Sequence, residues 1–276
     1  VDYEKKVGNE PTVPENPELL KLKSLRGHDN TITNGVGRIG WMDGGQQARW
    51  TDEALAADFT DEVTDFIDAN QNSPFFIFHA LHDIHVPRIP GVRFKGKSPM
   101  GARGDAILQM DYYVGKIMDK LDASGLTSNT IVLLTSDNGP VLNDGYDDKS
   151  EELAGDHKPA GPWRGGKYSV YEGGTRLPFI VHWPAKIKPG ISDALVSQVD
   201  FVRSFAALLG QQLTDEEATD SENVIDALTG KSPKGRDSVV IASRNRALVK
   251  DQWKYIEPGT AKEPRPRNGE LHQGQL

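Results

Sequence analysis

The chain has 276 residues, 37% hydrophobic and 26% charged, enough to bury the core of one large α/β domain or two small ones. Its 40 acidic against 32 basic side chains give a net charge of -8, which argues against a nucleic-acid-binding surface. Without cysteine there is no disulfide framework, thiolate metal site or cysteine nucleophile, and no apolar run approaches the ~18 to 20 residues of a membrane-spanning helix.

The opening VDYEKKVGNEP has neither an initiating Met nor an apolar leader, so the expectation is a processed chain or a piece of a longer one. Residues 1–50 are rich in Pro and Gly and read as an irregular surface segment with a Gly-rich turn at GVGRIGWMDGG. A helix follows, with Thr51 as N-cap, Asp52 and Glu53 in its first turn, and Leu55, Phe59, Val63 and Ile67 as the buried stripe. The near-continuous apolar run from Phe75 to Leu81 reads as a strand buried on both faces. It leads into His82, Asp83 and His85, after which Pro87 and Pro90 impose an extended loop.

The clearest helix spans residues 103–124, where Ile107, Met110, Val114, Ile117 and Leu121 recur in steps of three and four and Gly125 ends it. Thr130 to Thr135 is a second buried strand, and a long loop fills residues 139–166. RLPFIVHWP gives a third strand, Val199 to Leu209 a helix closed by Gly210, and Ser221 caps a last short helix ending at Gly230. SVVIASRNRALVKDQWKYIEP reads as a β-hairpin turning at residues 244–246. The tail GTAKEPRPRNGELHQGQL has no periodicity. Strands alternating with helices favour a mostly parallel sheet covered on both faces, with sites beyond the strands' C-terminal ends.

Chemistry-bearing residues gather at such ends. Asp137-Asn138-Gly139 alone is a turn signal, yet at a strand end its carboxylate and amide oxygens suit calcium or magnesium rather than zinc. His85 is either an exposed loop residue or a donor to an anionic substrate oxygen, with His79 and His82 weaker candidates. Lys167, between two glycine pairs in RGGKYSVYEGG, is either a solvated lysine or a point charge for a tetrahedral anion. The spacing of a phosphate-binding P-loop is absent. His157 and Trp163 are candidates for lining a substrate pocket and Arg88 for meeting an anionic substrate, while Asp147 and Asp148 read as a solvated acidic turn. A hard cation, a His and a Lys together suit hydrolysis of a sulfate or phosphate ester, although no nucleophile is marked.

TSDNG, then RGGKYSVYEGGTRLPFIVHWP, then SQVDFVRSFAALLG, in that order after HVPR, resemble the C-terminal half of a formylglycine-dependent sulfatase, arylsulfatase-like, over roughly residues 50–256. The resemblance implies an α/β fold of the alkaline-phosphatase-like kind, a mixed sheet flanked by helices with a small C-terminal antiparallel sheet unit. On that basis residues 1–235 are a partial catalytic domain and residues 236–276 a partial antiparallel subdomain. It implies that Asp137 and Asn138 ligate calcium, that Lys167 contacts the sulfate, and that His85 contacts the ester oxygen and assists departure of the alcohol. It also implies a sulfated carbohydrate or aryl sulfate as substrate and a periplasmic or secreted location. The family's nucleophile, a formylglycine made within Cys/Ser-x-Pro-x-Arg, has no counterpart here, and KSPMGAR at residues 97–103 has the wrong spacing. The family's paired N-terminal aspartates, and the Lys and His that follow its nucleophile, are likewise unmatched. At the other end NGELHQGQL stops about where the family continues into one more strand. The expectation is therefore a sulfatase truncated at its N-terminus and at its C-terminus, poorly active alone, with the N-terminal part as a companion. The alternatives are a phosphodiesterase or phosphonate hydrolase of the same superfamily and a non-catalytic carbohydrate-binding remnant.

Overall fold

The computed structural model describes residues 2–24, 30–44 and 49–258, so the tail and its expected lack of periodicity lie outside the described residues. The chain divides into two compact units, one of Val1–Leu126 with Leu142–His157 and one of Thr127–Val141 with Lys158–Leu276.

In the first unit a hairpin pairs β1 (Thr31–Thr33) with β2 (Val36–Arg38), antiparallel, inside the segment expected to be irregular. Asn34 and Gly35 both take positive φ, 50° and 79°, the Asn-Gly signature of a tight hairpin turn. Val36 packs with Val86 and Tyr146, and the Tyr146 hydroxyl donates to the Gly37 carbonyl at 2.9 Å. The two helices α1 (Leu55–Asn70) and α2 (Gly101–Ala123) pack against each other.

Thr51 does not cap α1, whose first residue follows Ala54; a turn at residues 52–54 intervenes. Leu55, Val63 and Ile67 are buried as expected, but Phe59 is exposed and Thr60 is buried instead. A four-residue step overshoots the 3.6-residue turn, so the stripe drifts round the helix and the buried face centres on Thr60, Val63 and Ile67. In α2 Leu121 is buried, and Ile107, Met110, Val114 and Ile117 are half-buried. The most protected positions lie at its start, where Asp105 accepts the backbone N–H groups of Gly96, Lys97 and Ser98 at 2.7 to 2.9 Å. KSPMGAR is thus the entry turn of a helix.

The run from Phe75 to Leu81 forms no strand among the described residues. Rather than being buried on both faces, it alternates, with Phe76 and Phe78 exposed and Phe75, Ile77 and His79 half-buried.

In the second unit β3 (Val132–Thr135) pairs antiparallel with β4 (Phe179–His182), and the short helix α3 (Glu172–Thr175) precedes β4. Two further helices, α4 (Phe201–Leu208) and α5 (Ile225–Leu228), follow, and Val224, Ala227 and Leu228 pack with Phe179, Val181 and Phe201. Ser221 does not cap α5; its Oγ accepts the backbone N–H of Arg203, and the Ser204 hydroxyl takes the Val224 N–H. The expected hairpin after residue 236 gains a third strand: β5 (Ser238–Ala242), β6 (Arg246–Lys250) and β7 (Trp253–Ile256) form one antiparallel sheet. Among the described residues every strand pair is antiparallel, contrary to the mostly parallel sheet expected from alternation; only the isolated bridge of Leu22 with Val36 is parallel.

Gly125, Gly210 and Gly230 end α2, α4 and α5 as expected, each with φ near +70°. In each case the following N–H returns to the carbonyl five positions earlier: Leu126 to Leu121, Gln211 to Ala206, Lys231 to Asp226. Only a residue tolerant of the left-handed region closes a helix this way.

Candidate active site

The second unit holds the oxygen pair and the lysine. β3 runs out at Thr135 and delivers Ser136, Asp137 and Asn138 to its C-terminal end. Asp137 Oδ1 accepts the Asn138 N–H at 2.9 Å, and Asn138 Nδ2 donates to the Gly139 carbonyl at 3.0 Å. The oxygens Asp137 Oδ2 and Asn138 Oδ1 carry no hydrogen bond among the described residues, and Asp137 is exposed.

Glycines bring Lys167 to this turn. The Gly139 N–H donates to the Gly174 carbonyl at 2.9 Å and the Lys167 N–H to the Pro140 carbonyl at 3.0 Å. A Cβ on Gly139 would lie 1.9 Å from the Gly173 carbonyl oxygen, and one on Gly166 would lie 2.4 Å from that of Pro140. The glycine pairs of RGGKYSVYEGG therefore serve backbone-to-backbone packing against Asp-Asn-Gly. Asp137, Asn138 and Lys167 are brought together by main-chain contacts. The Lys167 ammonium lies 5.2 Å from the Tyr168 ring centre, and Tyr168 itself takes φ 75°.

The same segment is anchored from β7. Lys254 Nζ donates to the Val170 carbonyl at 2.9 Å and the Thr175 hydroxyl at 3.0 Å, and pairs with Glu172 at 2.5 Å. Trp163 is partly exposed, with the Arg176 guanidinium 4.7 Å from its ring centre.

The first unit holds the histidines. His85 is exposed on a loop whose next three residues, Val86, Pro87 and Arg88, are buried. Its Nδ1 lies 2.6 Å from the Val86 carbonyl oxygen, which can only accept, so Nδ1 carries the proton and Nε2 is the nitrogen whose protonation can change. Arg88, a candidate for meeting an anionic substrate, is buried, its side chain 1% exposed. Its Nε donates to the Ile84 carbonyl at 3.0 Å, and its Nη1 reaches Asp148 at 2.5 Å, Ser150 at 2.7 Å and the Leu142 carbonyl at 3.3 Å. The side chains of Arg88 and Asp148 are 1% and 5% exposed, so Asp148 is a buried counter-ion rather than a solvated acid; Asp147 is exposed. The pair clamps the His85 loop from behind.

Gln109 adds a second brace, donating to Asp83 at 2.6 Å and accepting the Gly91 N–H at 2.7 Å. Burial raises the Asp83 carboxyl above its ordinary range, and Asp83 Oδ2 and His79 Nε2 are buried without a hydrogen-bond partner among the described residues. Burial lowers both His79 and His82 from 6.5; for His82 the Arg38 guanidinium acts in the same direction. They are packed, neutral histidines. Burial, with Arg88 beside it, also holds the Arg103 guanidinium down to about 10. The His157 ring is exposed at the end of this unit and makes no hydrogen bond among the described residues.

Gln109 and Asp148 escaped sequence reasoning because a Gln inside a helix and an acid in a charged loop carry no local mark of burial. For the cation, two unengaged hard oxygens fit a calcium or magnesium ion and supply part of its shell, which for calcium takes six to eight oxygens. Among the described residues no group of three or more His, Asp or Glu side chains could hold a metal.

A sulfatase family model matches residues 2–211. The N-acetylgalactosamine-6-O-sulfatase of Bacteroides thetaiotaomicron is 52% identical over 263 residues, covering 95% of this chain and 52% of that protein. An arylsulfatase of Hemicentrotus pulcherrimus is 34% identical over 197 residues, covering 71% of this chain and 34% of its own length. A solved Bacteroides thetaiotaomicron 6S-sulfatase, from work on metabolism of multiple glycosaminoglycans, superimposes with a TM-score of 0.89 at 52% identity, covering 95% of this chain and 55% of that one. A solved Pseudoalteromonas sulfatase matches at a TM-score of 0.65 and 27% identity, over 80% of this chain and 44% of its own. The protein is thus an α/β protein of the alkaline-phosphatase-like fold. The chain belongs to the sulfatase family. It spans about half the length of the Bacteroides sulfatases it matches and about a third of the arylsulfatase.

Proposed function

We propose that this chain carries the cation-binding and sulfate-binding part of a sulfuric ester hydrolase acting on a sulfated carbohydrate, 6-O-sulfated N-acetylgalactosamine being the first candidate. The observation that carries this reading is the main-chain packing that sets Lys167 against the Asp137-Asn138 turn. Asp137 and Asn138 are two ligands of a calcium ion, which when bound would supply positive charge to the sulfate oxygens. Lys167 adds a positive charge for the tetrahedral anion. His85, with Nδ1 fixed on Val86, gives a proton from Nε2 to the departing alcohol oxygen. Trp163 and His157 are candidate sugar contacts, since both rings offer exposed surface. The substrate assignment is supported by the name of the relative at 52% identity. The formylglycine nucleophile and the remaining cation ligands come from polypeptide that this chain does not match. A periplasmic or secreted location follows the habit of glycan-degrading relatives. No helix among the described residues is long and apolar enough to cross a membrane.

The test is sulfate release from 6-O-sulfo-N-acetylgalactosamine, followed by ion chromatography. The chain is assayed alone and with a formylglycine-bearing polypeptide made from the unmatched part of the Bacteroides relative. Release that needs both parts supports the reading. Robust release by this chain alone, or none by the pair, contradicts it.

A further inference from the structure

His85 sits at the end of a turn held in an unfavoured backbone conformation. The His85 N–H closes on the His82 carbonyl at 3.3 Å, with Asp83 and Ile84 between them. Ile84, third in that turn, takes φ 67°. Turns with positive φ at that place ordinarily use glycine or asparagine, and a β-branched residue in the left-handed region is strained. Such strain persists only where the surroundings impose it. Here two side chains do so. Arg88 Nε donates to the Ile84 carbonyl at 3.0 Å. Gln109, rooted in α2 and 4% exposed, donates from Nε2 to Asp83 Oδ1 at 2.6 Å and accepts the Gly91 N–H on Oε1 at 2.7 Å. One amide thereby ties residues 83 and 91, the two ends of the loop that carries His85, to a 23-residue helix. The task needs a side chain with both a donor and an acceptor, because Asp83 Oδ1 accepts here and the Gly91 N–H donates.

We propose that Gln109 is a positioning residue for His85: it holds the Asp83-Ile84 turn in its left-handed form and so fixes the direction in which the imidazole presents Nε2. This rests on the reading of His85 as proton donor to the departing alcohol. The coupling runs through the backbone. Ile84 joins Asp83 directly to His85, so its φ sets where the His85 main chain points, and with it the approach of Nδ1 to the Val86 carbonyl at 2.6 Å. Without Gln109, Asp83 Oδ1 and the Gly91 N–H lose this partner, and Asp83 is only 8% exposed. Nothing on that side then opposes release of the Ile84 strain. A relaxed turn takes Nδ1 away from Val86, and the free ring returns toward the Nε2–H tautomer that imidazole favours in water. Proton transfer depends on placement within hydrogen-bond reach of the alcohol oxygen, so a wandering His85 costs rate rather than affinity.

Nitrogen NMR of the histidine rings in the full chain tests this without turnover, at a pH about two units above the ordinary imidazole value, with His85→Gln assigning the signal. In the wild type His85 should be chiefly the Nδ1–H tautomer. Gln109→Met keeps the volume but removes both hydrogen-bonding groups, and should shift the tautomer ratio toward Nε2–H by about tenfold or more. Ile84→Gly removes the strain, so Ile84→Gly/Gln109→Met should return the ratio to within about threefold of the wild type. Asp83→Asn keeps an acceptor for Gln109 and should leave the ratio unchanged. A wild-type ratio in Gln109→Met, or a double variant no closer to the wild type than Gln109→Met alone, would overturn the proposal. If Gln109→Met fails to fold, a folded double variant with the wild-type ratio supports it, and a double variant that also fails to fold overturns it. In the reconstituted pair Gln109→Met should lower kcat for sulfate release about tenfold or more while KM changes by less than about threefold. An unchanged kcat would remove the positioning role and leave the sulfatase reading standing. No release by the wild-type pair counts against the sulfatase reading, and the ring signals still decide whether Gln109 holds His85.

Discussion

Removing Asp148 isolates a buried guanidinium. Arg88 and Asp148 have side chains 1% and 5% exposed and meet at 2.5 Å. Asp148 Oδ1 additionally accepts the Ser150 hydroxyl at 2.6 Å and the Ser150 N–H at 3.1 Å. Asp148→Ala would leave Arg88 charged, desolvated and close to the buried Arg103, whose guanidinium is already held at about 10 by burial and by Arg88. Breaking a buried pair from one side costs ~3 to 5 kcal/mol, because the remaining charge has neither water nor a counter-ion, and the Ile84 and Leu142 carbonyls and the Ser150 hydroxyl that Arg88 keeps are neutral. The exposed pair of Lys6 with Glu15 is a control, whose loss should leave the unfolding midpoint nearly unchanged. With a urea slope of about 2 kcal/mol/M, Asp148→Ala should lower the unfolding midpoint by roughly 2 M. The double variant Arg88→Met/Asp148→Leu removes both charges and should recover most of the loss. Urea unfolding followed by tryptophan fluorescence measures all three. A cost below about 1 kcal/mol for Asp148→Ala, or a double variant as weak as the single one, would refute the clamp.

Gly139→Ala should lower the Tm and abolish calcium binding by forcing the Asp137 turn away from the Lys167 segment, since the new Cβ would meet the Gly173 carbonyl oxygen at 1.9 Å; calorimetric titration with calcium checks this. Gly125→Ala meets open space, so its cost is backbone strain alone, ~1 to 2 kcal/mol at φ 68°, and Gly125→Asn should cost less; thermal unfolding of the two ranks them. His79 and His82 are held below 6.5 in the folded chain, so the unfolded chain binds more protons once the pH falls below 6.5. Their contribution to stability is present above that pH and is lost on acidification through the lowered folded values. Urea midpoints from pH 7.5 down to 5.0 should therefore fall for the wild type, and fall less for His79→Gln/His82→Gln. Equal slopes would show that other groups set the acid limb.

The parts of the fold legible in sequence were those written in local chemistry. Gly125, Gly210 and Gly230 announced three helix ends because no other residue takes φ near +70° without strain. The β3 strand and its Asp-Asn-Gly exit were legible because an apolar run and a turn signal are both short-range. Thr31 to Arg38 was missed although Asn34-Gly35 is a strong hairpin signal, since the strands on either side hold only three residues each. What failed was whatever depends on partners distant in sequence. Strand direction is one case: β3 pairs with β4 from more than 40 residues away, and nothing in either strand records that the pairing is antiparallel. Arg88 is another, because its burial depends on Asp148, 60 positions along the chain. Phe75 to Leu81 reads as a fully buried strand, and in this chain it alternates between exposed and half-buried and is unpaired among the described residues.

The central claim is that Asp137, Asn138 and Lys167 form the cation-dependent and sulfate-binding part of a sulfatase centre. Its most direct test is the calcium dependence of sulfate release by the reconstituted pair, with wild-type, Asp137→Ala and Lys167→Ala chains. The account predicts that chelation stops release and added calcium restores it. It also predicts that Asp137→Ala needs far more calcium for any activity, and that Lys167→Ala falls at least 100-fold with calcium affinity unchanged. Full-rate release by the chelated pair, or wild-type behaviour from Asp137→Ala, would contradict it.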